Sequence, residues 1–125
     1  MCYKLDFCDV ALSVMSVHID TYHRQVGRYP ESISKEDAAR NGWECSSGLP
    51  YRYRLVSQKG KPLPVFCDDV SHEGVHIVVY GYLKRVVIPD AEYLHFVNSL
   101  ESGTFQLEQD WADSTDEIRK KRKHF

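Results

Sequence analysis

The longest apolar stretches of this sequence, "VHIVVYGYL" and "VVIP", fall far short of the roughly 18 to 20 residues needed to cross a bilayer, so no segment of it is expected to span a membrane. An excess of charge of one sign is missing too. Sixteen Lys+Arg stand against 18 Asp+Glu for a net charge of -2, which gives no general pull toward nucleic acid. No two of the four cysteines, at positions 2, 8, 45 and 67, form a C-x-x-C pair, and this argues against zinc-ribbon and thioredoxin-type chemistry. There is no G-x-S-x-G, no phosphate-cradling glycine loop and no dinucleotide fingerprint. The opening "MCYKLDFCDV" places Asp6 and Asp9 where an export signal needs an uninterrupted apolar core. What remains is a chain of 125 residues, 42% hydrophobic and 27% charged, with the size and composition of one globular domain.

The clearest positive signal lies at the start. Leu5, Cys8, Leu12, Met15, Ile19, Tyr22 and Val26 follow one another at steps of three and four, which predicts one apolar stripe down a long helix. Asp6 and Asp9 fall in its first turns, where carboxylates suit the positive end of the helix dipole. Gly27 is suited to end it in the left-handed conformation, and Pro30 then restrains Tyr29 to extended geometry. Gly27, Tyr29 and Pro30 thus predict a structural corner. Ser34 can cap a short helical turn that Gly42 stops.

The middle of the chain reads as strands. "YRYRLV" alternates Tyr51, Tyr53 and Leu55 with Arg52, Arg54 and Val56, the two-residue period of a strand with one wet face. "LPVFCDD" reads as a second strand, placed at a sheet edge by Pro62 and Pro64. "VHIVVYGYL" and "KRVVIP" predict a hairpin or one long strand bent around Gly81. Connections this short require an antiparallel sheet. A further helix follows Asp90, with Tyr93, Leu94, Val97 and Leu100 on one face and Gly103 at the exit. The expected fold is α+β: a long N-terminal helix on a three- or four-stranded antiparallel sheet, with a second helix near the C-terminus. Residues 1–107 form the domain and 108–125 a charged tail, and Leu12, Met15, Ile19, Tyr22, Val26, Tyr53, Ile77, Val79 and Leu94 form the expected core.

Residues able to carry chemistry gather in "CDDVSHEGVH": Cys67, Asp68, Asp69, His72, Glu73 and His76. On one strand, positions 72 and 76 would lie roughly 13 Å apart, too far to share an ion unless the chain turns at Gly74. Asp68 and Asp69, with loop carbonyls, are hard oxygen ligands of the kind calcium takes, while the spaced ligand set of an EF-hand is missing. A polar hairpin loop with solvated carboxylates is the simpler reading of the same letters. Cys67 and His72 do not make a catalytic dyad by spacing alone, since such pairs are defined by geometry. Cys8, on the helix stripe, reads as a core residue, whereas Cys45 and Cys67 can pair only in an oxidising compartment and at a Cα separation below roughly 7 Å. His18 and His23 read as surface residues, and the basic tail "IRKKRKHF" as a solvated segment.

The order of these features resembles the globular heads of bacterial pseudopilins and related prepilin-like proteins. In that group a stripe helix ends in a Gly-x-Tyr-Pro corner, here Gly27 to Pro30, and a Gly-x-Pro-Tyr-x-Tyr segment, here Gly48 to Tyr53, begins the sheet. Asp68, Asp69, His72, Gly74 and the strand from Val75 to Tyr80 match an acidic stretch, a His and Gly and an apolar strand found in some members, while Gly81-Tyr82 stands in place of their Asp-Gly turn. The resemblance implies a non-enzymatic structural or assembly subunit of a secretion or pilus-like filament, with calcium on Asp68 and Asp69 as the cofactor some members use. Its partners are expected to be proteins or further copies of itself. The expected compartment is extracytoplasmic if a leader and membrane helix have been removed, and the cytoplasm if this is the whole native chain. The alternatives are a cytosolic protein-binding or inhibitory module and, less favoured by the missing motifs, a metal-dependent hydrolase.

Overall fold

The computed structural model describes residues 3–45 and 49–103. Helix α1 (Tyr3–Val26) is followed by the short α2 (Lys35–Asn41), the strands β1 (Arg52–Gln58), β2 (Lys61–Cys67), β3 (Val75–Tyr80) and β4 (Lys84–Pro89), and α3 (Asp90–Ser102). The strands pair antiparallel in sequence order, β1-β2-β3-β4. This is the α+β arrangement expected from the sequence, with two helical layers rather than one against the sheet. The tail from 108 onward lies outside the described residues.

Strand alternation divides the core in two. Tyr53, Phe66, Ile77, Val79 and Val87 point to the face that α1 covers, where they meet Cys8, Leu12, Met15 and Ile19. Val65, Cys67, Val78, Val86 and Ile88 point to the other face and meet Tyr93, Phe96 and Leu100 of α3. A sheet clothed on both sides explains why β3 reads "VHIVVY" without polar interruption beyond His76. Among the described residues no helix is long and apolar enough to cross a membrane.

Several expectations are corrected by this packing. The α1 stripe is buried at Cys8, Leu12, Met15 and Ile19, whereas Tyr22 and Val26, further along it, are exposed, because the sheet ends before the helix does. Leu94 is 71% exposed while Phe96 is fully buried, so the inward face of α3 runs through Tyr93, Phe96 and Leu100. Strand β2 is internal rather than at the edge: β3 pairs only with Val65–Cys67 of it, which leaves Pro62 and Pro64 beyond the reach of β3 while they face Ser57 and Leu55 of β1. Proline is tolerated there because no ladder bond to β3 is asked of it. Asp9 is a buried residue whose carboxylate lies 3.1 Å from Arg85 on β4, so it joins α1 to the sheet rather than serving an exposed first turn. Cys45 and Cys67 are both free and belong to opposite faces of the sheet, so they do not pair.

Gly27 has φ +89 and its N–H donates to the His23 carbonyl at 2.8 Å, a left-handed helix stop that a β-carbon disfavours. The Tyr29 ring stacks on His23 with centroids 4.0 Å apart. The Tyr53 hydroxyl donates to the Pro30 carbonyl at 2.7 Å, fastening the exit of α1 to β1. Ser34 caps α2 through its hydroxyl, which accepts from the Asp37 N–H at 3.1 Å.

Candidate metal centre

At the Cys8 end of α1, beside the loop that joins β2 to β3, four ligand-type side chains converge. Cys8 faces the sheet because it stands one helical step before Leu12 on the buried stripe. Cys45 follows α2 in a short bridged segment, where Glu44 pairs with Pro50 and the Cys45 N–H donates to the Leu49 carbonyl at 2.8 Å. Asp68 and His72 come from the β2–β3 loop. This loop closes tightly because Glu73 and Gly74 both take positive φ, which brings His72 and Val75 into reciprocal backbone hydrogen bonds of 2.8 and 3.2 Å. A glycine at the second of these positions adopts that conformation without steric cost.

The donor atoms of Cys8, Cys45, Asp68 and His72 all lie within 4.8 Å of one another, and all four residues are buried. His72 Nε2 is 2.8 Å from Asp68 Oδ2, 3.3 Å from Cys8 Sγ and 3.6 Å from Cys45 Sγ, and the two sulfurs are 3.6 Å apart. The second Asp68 oxygen accepts from the Val70 N–H at 2.9 Å, which fixes the rotation of the carboxylate. Tyr51 is buried against the cluster, with its hydroxyl beside the Cys8 thiol. Burial pushes the Cys8 thiol well up from its ordinary value, and the Asp68 carboxylate beside it acts in the same direction. Burial likewise raises the Tyr51 phenol, with the Cys8 thiol alongside adding to the effect. The shift at Cys8 favours its protonated form, whereas the thiolate is the nucleophile.

The remaining polar residues of the loop point elsewhere. Asp69, next in sequence to Asp68, turns to the opposite side and receives Arg52 at 3.0 and 2.9 Å and the hydroxyl of Tyr93. Burial works against the Asp69 charge, but the Arg52 guanidinium and Tyr93 hydroxyl outweigh it and hold its carboxyl below the usual value. Arg52 and Arg54 also grip Glu101 on α3, at 2.5 and 2.8 Å. His76 stacks on Tyr93 with centroids 3.7 Å apart, donates from Nδ1 to the Asp68 carbonyl at 2.9 Å, and sets Nε2 2.8 Å from Asp90. Cys67 is enclosed by the α3 face of the core, where burial pushes its thiol up to about 12. Asp68 and Asp69 therefore do not converge on one ion, and His72 and His76 serve separate clusters even though the chain turns at Gly74.

Reading the letters found Asp68 and His72 but not their partners. The helix stripe places Cys8 in the core, which is where it sits, and Cys45 flanks a strand; the intervals separating these four residues follow no local metal-ligand template. No protein-family model, curated protein or solved structure matches the chain.

Proposed function

We propose that this chain is a non-enzymatic assembly domain of pseudopilin-like character, which acts by packing against a second copy of itself. The observation that carries this reading is a row of exposed apolar residues on the outer flank of α1: Phe7, Val10 and Val14 are 50%, 60% and 46% exposed. Together with Ala11, Asn41, Gly42 and Trp43 they line an open groove. Positions spaced by three and four present a straight apolar strip about 10 Å long, the form that a matching strip on another helix covers. A strip on one helix is self-complementary about a two-fold axis, so a second copy is its simplest occupant, and contiguous exposed apolar surface of this kind marks interaction sites. The reading as a hydrolase has less support, since the four donors of Cys8, Cys45, Asp68 and His72 are buried and turned toward one another, whereas hydrolytic metal sites keep one coordination position for water.

Sedimentation velocity over a wide concentration range tests the proposal. The full chain should show a sedimentation coefficient that rises with concentration, and Val10→Asp should remain monomeric while melting at the same temperature as the dilute, monomeric wild type. A wild-type chain that stays monomeric at the highest soluble concentration refutes self-assembly.

A further inference from the structure

We propose that Cys8, Cys45, Asp68 and His72 form a closed tetrahedral site for one zinc ion, which clamps α1 to the loop between β2 and β3. This inference is independent of the self-assembly reading. Zinc held by sulfur at about 2.3 Å and by nitrogen or oxygen at about 2.0 Å sets tetrahedral edges of about 3.8 Å for S···S, 3.5 Å for S···N and 3.3 Å for N···O. The corresponding separations are 3.6 Å, 3.3 and 3.6 Å, and 2.8 Å. Of the six edges of the tetrahedron, three of these four thus lie within a few tenths of an ångström of the zinc geometry, and the two S···O edges lie within 4.8 Å. The fourth is shorter by the amount expected where a hydrogen bond between His72 and Asp68 takes the place of two bonds to a shared ion.

The donor chemistry selects the metal. Two sulfurs and an imidazole disfavour calcium and magnesium, which take oxygen ligands, and suit zinc. Outer contacts of the kind that orient metal ligands are in place: the Val70 N–H holds the Asp68 oxygen that faces away from the cluster, and the paired backbone bonds of His72 and Val75 hold the loop. Charge and protons balance without a redox step. Two thiols each lose a proton to solvent, two S–Zn bonds form, and the Asp68 carboxylate and neutral imidazole complete the shell.

The ligands are widely separated, with Cys8 37 residues from Cys45 and 64 from His72. Binding therefore acts mainly on the folded chain, since the unfolded chain must close these loops to assemble the site.

The test uses the full chain, stripped with a chelator, reduced, and then titrated separately with zinc and cobalt(II). Zinc should bind one per chain and raise the melting temperature by at least about 10 °C when its concentration is about a thousand times Kd. Cobalt should give the intense visible bands of a tetrahedral ion together with a thiolate charge-transfer band in the near ultraviolet, and zinc should abolish both. Cys45→Ser should halve the charge-transfer intensity, and Cys67→Ser, on the opposite face of the sheet, should leave it intact. Should Cys45→Ser fail to fold, the wild-type cobalt spectrum decides alone. No charge-transfer band and no thermal shift on the wild-type chain, or an equal loss in Cys67→Ser, overturns the assignment.

Discussion

Replacing Leu12 by alanine removes a side chain that is 0% exposed and lies midway along the buried part of the α1 stripe. Three carbon groups leave the core, worth about 2.4 kcal/mol at roughly 0.8 kcal/mol each. The cavity left between a rigid helix and a sheet relaxes only partly, which brings the expected loss to about 3.5 kcal/mol, within the range for buried Leu→Ala changes. Alanine is also the better helix former, and this offsets the loss by only a few tenths of a kcal/mol. Val10→Ala, measured at a chain concentration low enough for the monomer, supplies the control on the same helix: the residue is 60% exposed there, so its stability should change by no more than ~0.5 kcal/mol. Urea denaturation monitored by far-ultraviolet circular dichroism measures both. With a slope of ~1.5 kcal/mol per molar, reasonable for a domain of this size, the Leu12→Ala midpoint should fall by about 2 M and the Val10→Ala midpoint should hardly move. Equal shifts in the two variants refute the placement of the seam.

Three further perturbations test separate contacts. Tyr53→Phe leaves the ring in the core but removes the donor to Pro30, so thermal unfolding should report a loss of about 1 kcal/mol, and a Tm within error of wild type removes that bond from the account of the corner. Arg85→Ala strips the guanidinium from the buried Asp9 carboxylate, and a loss of about 3 kcal/mol is expected by denaturant titration; a change below ~0.5 kcal/mol refutes the role of the pair. Arg54 and then Arg52 depress the Glu101 carboxyl below its ordinary value. Its contribution to stability is accordingly present above the usual glutamate range and disappears as pH falls through the lower folded value. Denaturation of wild type and Glu101→Gln from neutral pH down to pH ~2 should show a small gap that closes only below the ordinary glutamate pKa of about 4.3, and a gap that closes above that value reverses the sign of the argument.

The parts of the fold that were legible in the letters are those that a single local period controls. The α1 stripe follows from one element burying one face, and the unbroken β-branched runs of β3 and β4 from strands buried on both faces, whereas the wet face that the alternation of "YRYRLV" predicts is covered by α3, which buries Val56 there. Partner geometry decided the rest. Tyr22 and Val26 continue the stripe but overrun the sheet, and the prolines of β2 suggest an edge because nothing local shows that β3 stops short of them. On α3, choosing Phe96 over Leu94 depends on how the helix meets the sheet, which its own sequence does not state. The cluster was half legible: Asp68 and His72 stand close together in an acidic loop, whereas Cys8 and Cys45 reach it through tertiary packing alone. Asp68 and Asp69 looked equivalent as neighbours, yet alternation across the end of β2 sends one to the cysteines and the other to Arg52.

Native mass spectrometry of the full chain, purified under reducing conditions without added metal, tests the central claim that these four buried side chains form a metal clamp. The account predicts one species heavier than the bare polypeptide by a zinc ion less two protons, reverting to the bare mass when acid releases the metal. A chain at its bare mass that also fails to gain a tightly held ion after incubation with zinc contradicts it.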